Sequence, residues 1–192
     1  MAANVGIDMI SAGTRAWFFL LLYFFHVGVM AVEEPEGYRT ELYDDEVPAT
    51  LTGAKRVSAL EVKQLQTDLD AVVIDVIPQH RPPDNLPEWQ IWFPVPHQGV
   101  PGALWLPDVG YGDLSSVTES YFKGHLAQAS QGDWSKPLIF YCRPDCWMSW
   151  NAAKRALSYG YSSVYWFADG LDDWMFEGFE FSVLTPAEGR RQ

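Results

Sequence analysis

Two short runs in this chain admit little other than buried parallel strands. Ala71-Val-Val-Ile-Asp75-Val-Ile77 and Leu138-Ile-Phe-Tyr141 are apolar or aromatic at every position except Asp75. They lack the alternation of a strand that keeps one face in water. Such strands need helices over both faces, and the segments around them supply the pattern. Ser58, with Glu61 three residues later and apolar residues at helical spacing as far as Leu65, predicts a capped helix beginning at or just after Ser58. Further helices are predicted over 115–129, with Leu114, Val117, Tyr121, Phe122 and Leu126 on one side, over 149–159, and over 172–177 around Trp174. A short strand entered through Pro101-Gly102 is expected within 101–107, and another over 163–167. Strands alternating with helices predict a single α/β domain, its central and mainly parallel sheet flanked by helices on both faces.

The flanking segments read differently. Residues 1–31 have the form of an export signal, with Arg15 ahead of the apolar run Ala16-Trp-Phe-Phe-Leu-Leu-Leu-Tyr-Phe-Phe25 and small residues near Ala31. Cleavage after Ala31 would leave no stable membrane insertion and place the mature chain in the periplasm. Residues 32–56, acidic and broken by Pro35, Gly37 and Pro48, read as an extended arm laid over a domain spanning 57–185, with 186–192 as a tail. Six prolines between 78 and 100 exclude a regular helix there and predict a long loop.

The net charge of −12 argues against nucleic acid or an anionic membrane as partner and is compatible with a basic protein. No histidine or cysteine spacing suits a metal, and no phosphate loop, serine triad or nucleotide fingerprint is present, so no metal or cofactor is expected. The chemistry is expected where both cysteines fall, in Cys142-Arg143-Pro144-Asp145-Cys146. A cysteine at the end of a buried strand, ahead of a helix N-terminus, meets unpaired backbone N–H groups that favour a thiolate. In an oxidising compartment the two cysteines are expected to pair, and so small a ring removes little chain entropy, which suits a redox role better than a stabilising one. Ser149 reads as the cap of the following helix. Asp75, at the end of its strand, is expected to tie down neighbouring backbone N–H groups. Trp147 and Trp150 flank the loop and offer a docking surface for a partner. His97 and His125 read as isolated.

The order Val73-Ile-Asp75-Val, Gly99-Val-Pro101-Gly102-Ala103, Ile139-Phe-Tyr141-Cys142, Gly160-Tyr161-Ser-Ser-Val164-Tyr165 and Asp169-Gly170-Leu-Asp-Asp-Trp174 resembles a rhodanese domain over residues 57–183. Within that superfamily, Cys142-Arg-Pro-Asp-Cys146-Trp147-Met-Ser149-Trp150-Asn151-Ala-Ala-Lys154-Arg155 resembles the exported CXXCW-motif family associated with catabolism dependent on pyrroloquinoline quinone (PQQ). The resemblance implies Cys142 as nucleophile and Cys146 as resolving thiol. It also implies Arg143, Pro144, Asp145, Trp147, Met148 and Ser149 as the active and substrate-binding loop, with Asp75 and Trp150 in support. An ordinary rhodanese loop has glycine three and arginine five residues after the nucleophile. Asp145 and Trp147 stand there in this chain, which predicts weak binding of a small anion such as thiosulfate.

The expected function is therefore thiol-disulfide or persulfide transfer with a periplasmic protein partner, in support of PQQ-dependent alcohol oxidation. The alternative is a non-catalytic accessory module that binds a quinoprotein dehydrogenase or cytochrome c component. Cys142 would attack the partner's sulfur and Cys146 would expel the partner by closing the ring.

Overall fold

A computed structural model describes residues 32–189. The export signal expected over 1–31 lies outside the described residues. Along the chain run β1 (Lys55–Arg56), α1 (Ala59–Leu69), β2 (Val72–Asp75), β3 (His97–Gly99), β4 (Leu104–Trp105), α2 (Ser116–Ala129), β5 (Leu138–Tyr141), α3 (Trp147–Ser158), β6 (Val164–Phe167), α4 (Gly170–Phe176) and β7 (Ser182–Leu184). Five strands form one parallel sheet in the order β1-β6-β5-β2-β4. Strands β2 and β5 are central, as their unbroken apolar runs require. Their alternate residues feed two cores. Ile74, Phe140 and Trp166 pack with α2 and α3 through Phe122, Leu126, Ala152 and Ala156. Val73, Ile139 and Phe167 pack on the other face with Val62 of α1 and Trp174 of α4.

Helix α1 is capped as its sequence predicts. Ser58 Oγ accepts from Glu61 N, and the Glu61 carboxylate accepts from Ser58 N at 3.0 Å. Four expectations need correction. Helix α3 begins at Trp147 with Cys146 as its N-cap, so Ser149 lies inside the first turn and does not cap it. Val117 is exposed and takes no part in the face α2 buries. Strands β3 and β7 pair antiparallel in a separate two-stranded sheet that the proline-rich reading of 78–100 did not foresee. The end of the arm adds β1 to the main sheet beside β6.

Because the main sheet is all parallel, the carboxyl ends of its strands open on one rim, the usual place for a site in such sheets. Register puts Asp75 beside Tyr141, and Tyr141 beside Phe167, on that rim. Cys142 follows directly.

Candidate active site

Cys142 leaves β5 at the rim, and Cys146 stands four residues on at the N-cap of α3. The two are joined as a disulfide with Cα atoms 6.1 Å apart, a separation ordinary for such a bond. Between them the chain reverses sharply, with Asp145 at φ 51°, a left-handed conformation that aspartate tolerates better than most residues. The loop is held from both sides. Leu171 N, at the start of α4, donates to Cys142 O, and Gly170 approaches so closely that a Cβ there would fall 2.0 Å from that oxygen. From the other side the arm lies along the second half of the loop. Asp44 bridges Cys146, Asp45 N donates to Asp145 O at 2.9 Å, and Trp147 N donates to Tyr43 O at 2.9 Å. Arg143, exposed, pairs with Asp44 at 3.0 Å.

The conspicuous residues after Cys146 turn out to hold this arm. Trp147, Trp150, Asn151 and Lys154 are spaced i, i+3, i+4 and i+7, which is one face of a helix. Each donates to an arm carbonyl. Trp147 Nε1 reaches Glu46 O at 3.1 Å, Trp150 Nε1 Thr50 O at 3.1 Å, Asn151 Nδ2 Arg39 O at 2.8 Å and Lys154 Nζ Pro35 O at 2.6 Å. Arg39 N returns a bond to Asn151 Oδ1. Both indoles are buried, packed edge to face 5.3 Å apart. The docking surface expected at Trp147 and Trp150 is thus corrected: the arm occupies it. That spacing was readable in the sequence, but its partner, a segment a hundred residues upstream, was not.

Met148 and Ser149 are buried too. Ser149 Oγ donates to Cys146 O at 3.2 Å and accepts from Trp166 Nε1 at 3.0 Å, which ties the loop to the core. Pro144 is half-buried. Asp145 is exposed, its carboxylate in solvent.

Asp75 does more than tie down backbone. Its Oδ1 accepts from Ile77 N at 2.8 Å, as expected, while Oδ2 accepts from Tyr141 Oη at 2.7 Å and faces His97 Nε2 at 2.8 Å. Burial, and then the adjacent carboxylate, hold the Tyr141 phenol well above its ordinary range, so it stays a donor. Tyr141 Oη in turn accepts from Val100 N. His97, read as isolated in the sequence, stacks on Trp105 with centroids 4.0 Å apart. Gly99 makes room for this network, since a Cβ there would lie 2.6 Å from Tyr141 Oη and 2.9 Å from Asp75 Oδ2.

On the Cys142 side a pocket of about 250 Å³ opens between Ile77, Pro78, His80, His97, Arg143 and Leu171. Arg143 and Leu171 bring this pocket up to the loop, Cys142 itself is wholly buried and does not line it, and the arm covers Cys146.

A model of the rhodanese-like domain matches residues 58–177. The chain belongs to the rhodanese-like domain family. Like solved structures of other proteins, this rhodanese-like domain has similarity to the polysulfide-sulfur transferase homodimer of Wolinella succinogenes (21% identity, 68% of this chain and 79% of that one, TM-score 0.42). It is also similar to thiosulfate sulfurtransferase from Pseudomonas aeruginosa (18% identity, 69% of this chain and 21% of that one, TM-score 0.47). A third similarity is to an uncharacterized protein from Saccharomyces cerevisiae (24% identity, 65% of this chain and 93% of that one, TM-score 0.39). No curated protein matches the rhodanese-like domain described here.

Proposed function

We propose that this rhodanese-like domain is an exported thiol protein whose Cys142/Cys146 loop cycles between dithiol and disulfide while exchanging with a periplasmic protein partner. One observation carries the reading: the loop that follows β5 holds not a single nucleophile but a bonded pair, its second member at the N-cap of α3. In one direction a partner thiolate attacks Cys142 Sγ, the sulfur–sulfur electron pair departs on Cys146 Sγ, and a mixed disulfide forms. A second partner thiolate then displaces Cys142, so the partner is oxidised and the loop reduced. In reverse, the Cys142 thiolate attacks a partner disulfide and Cys146 expels the partner as a dithiol. A persulfide enters the same way, its outer sulfur passing to Cys142 while the donor leaves as a thiolate. With Cys146 at the N-cap of α3, the positive end of the helix dipole favours negative charge on its sulfur, and a low-energy leaving thiolate speeds exchange.

The motif running from Cys142 to Arg155 supports assignment to the PQQ-associated CXXCW group, with three residues here between the cysteines. A quinoprotein dehydrogenase or its cytochrome c is then the proposed partner. The burial of both cysteines, 0% and 2% exposed, favours a second reading, in which the disulfide only locks the loop of an accessory binding module.

The cysteine variants separate the two readings. Cys142→Ser is expected to abolish reactivity toward partner disulfides, and Cys146→Ser to accumulate mixed adducts detectable by intact-mass spectrometry. Equal reactivity in the two variants removes the division of roles. A folded double Cys→Ser variant that supports alcohol oxidation as well as the native chain supports the accessory module instead.

A further inference from the structure

The proline-rich loop leads into the candidate site with an extended apolar strip. Residues 91–96 run without turn or bend into β3. Ile91, Phe93 and Val95 are 74–79% exposed, and Trp89 just upstream is 83% exposed. When this segment pairs as a strand, their spacing of two puts them on one face. The backbone has an equally specific pattern. The N–H groups of Ile91, Trp92, Phe93 and Val95 have no partner among the described residues. In an extended chain successive N–H groups point to opposite edges, so Ile91, Phe93 and Val95 donate along one edge. Pro94 and Pro96 remove donors from the other. Strand β7 pairs with His97–Gly99 and then turns away, Pro186 bridging Trp105, so it does not cover the strip.

A row of donors at strand spacing in a segment apolar at every position from Ile91 to Pro96 fits a polypeptide backbone, the arrangement of strand addition. It gives no comparable advantage to lipid or a small molecule. A charge of −12 opposes a second copy of this chain and favours a neutral or basic segment. The strip is continuous with the site. Pro94, Val95 and Pro96 line a pocket of about 150 Å³ with His80 and His97. Those two histidines also line the pocket that reaches Arg143 and Leu171 at the Cys142 loop.

We propose that residues 91–95 are a docking strand for an extended, alternately apolar segment of a neutral or basic protein substrate, which continues past His97 and His80 to present its cysteine beside Cys142. The cysteine's fate rests on the thiol-exchange reading above; the docking does not. The test uses the full chain and a short synthetic peptide, lysine-flanked, with valine at alternate positions and a C-terminal cysteine. The expected result is that this peptide reduces the Cys142/Cys146 disulfide about tenfold faster than glutathione does. In the Ile91→Asp/Phe93→Asp double variant that advantage is expected to fall to near parity. A serine version of the peptide should bind the native chain, and the double variant at least tenfold more weakly.

If thiols reduce the disulfide but the peptide has no advantage and its serine version does not bind, docking is overturned and exchange stands. If the serine peptide binds the strip while no thiol reduces the disulfide, docking stands and the exchange reading fails. A dimer in sedimentation velocity, or co-sedimentation with phosphatidylcholine vesicles, that the double variant abolishes assigns the strip to another occupant and overturns the proposal.

Discussion

Trp147→Ala is expected to lower the free energy of unfolding by about 3–5 kcal/mol and to open the arm to trypsin at Arg39. The indole is 1% exposed, stacks edge-on against Trp150, carries the Arg39 guanidinium over its face at 5.1 Å, and donates to Glu46 O. Alanine leaves a cavity where the arm, the loop and α3 meet, and the surrounding backbone has little freedom to collapse into it. Trp147→Phe keeps most of the packing and forfeits the Nε1 bond, so it is expected to cost only about 1 kcal/mol through that bond. The same geometry predicts that Trp147→Arg does not restore an anion site. It buries an unpaired charge beneath the arm and destabilises the domain instead. Urea unfolding and limited proteolysis read both effects. Stability within about 1 kcal/mol of native, with Arg39 still protected, would refute the clamp.

Asp75→Ala is the second large effect, expected at about 3 kcal/mol. The carboxylate is wholly buried and serves three groups at once, Ile77 N, Tyr141 Oη and His97 Nε2. Removing it strands the Tyr141 hydroxyl and the Ile77 N–H in the core at the rim of the sheet. The network predicts strong coupling. With Tyr141→Phe already in place, much of the cost of Asp75→Ala is expected to disappear, because one stranded donor has gone with it. A double-mutant cycle by chemical denaturation measures this, and strict additivity would show that the three groups do not act together.

The sheet was legible because its central strands are written as composition. Val72–Asp75 and Leu138–Tyr141 have no polar face to offer water. The cap of α1 was legible because Ser58 and Glu61 satisfy each other locally. What was not legible depends on partners far along the chain. Lys55–Arg56, both exposed and charged, is a strand only because β6 lies beside it. Strands β3 and β7 are three residues each, and their pairing spans most of the domain. The start of α3 was misplaced because Ser149 has the chemistry of a cap, whereas the turn is made by Asp145 in the left-handed region and Cys146 in an extended one. His97 carries no local signal. It meets Asp75 across the whole proline-rich loop, at a distance only the fold can close. The position of Cys142 and Cys146 between strand and helix was readable directly, whereas the arm expected over 32–56 could not be placed against them until the fold was known.

The central claim is that this pair cycles, and its reduction potential tests it most directly. Thiol alkylation and mass spectrometry of the purified protein, across a series of glutathione redox buffers, give the potential without requiring a known partner. The account predicts a value roughly between −120 and −270 mV, in the range of proteins that exchange disulfides. A value below about −300 mV would mean a disulfide that the glutathione pool does not open, and would contradict it.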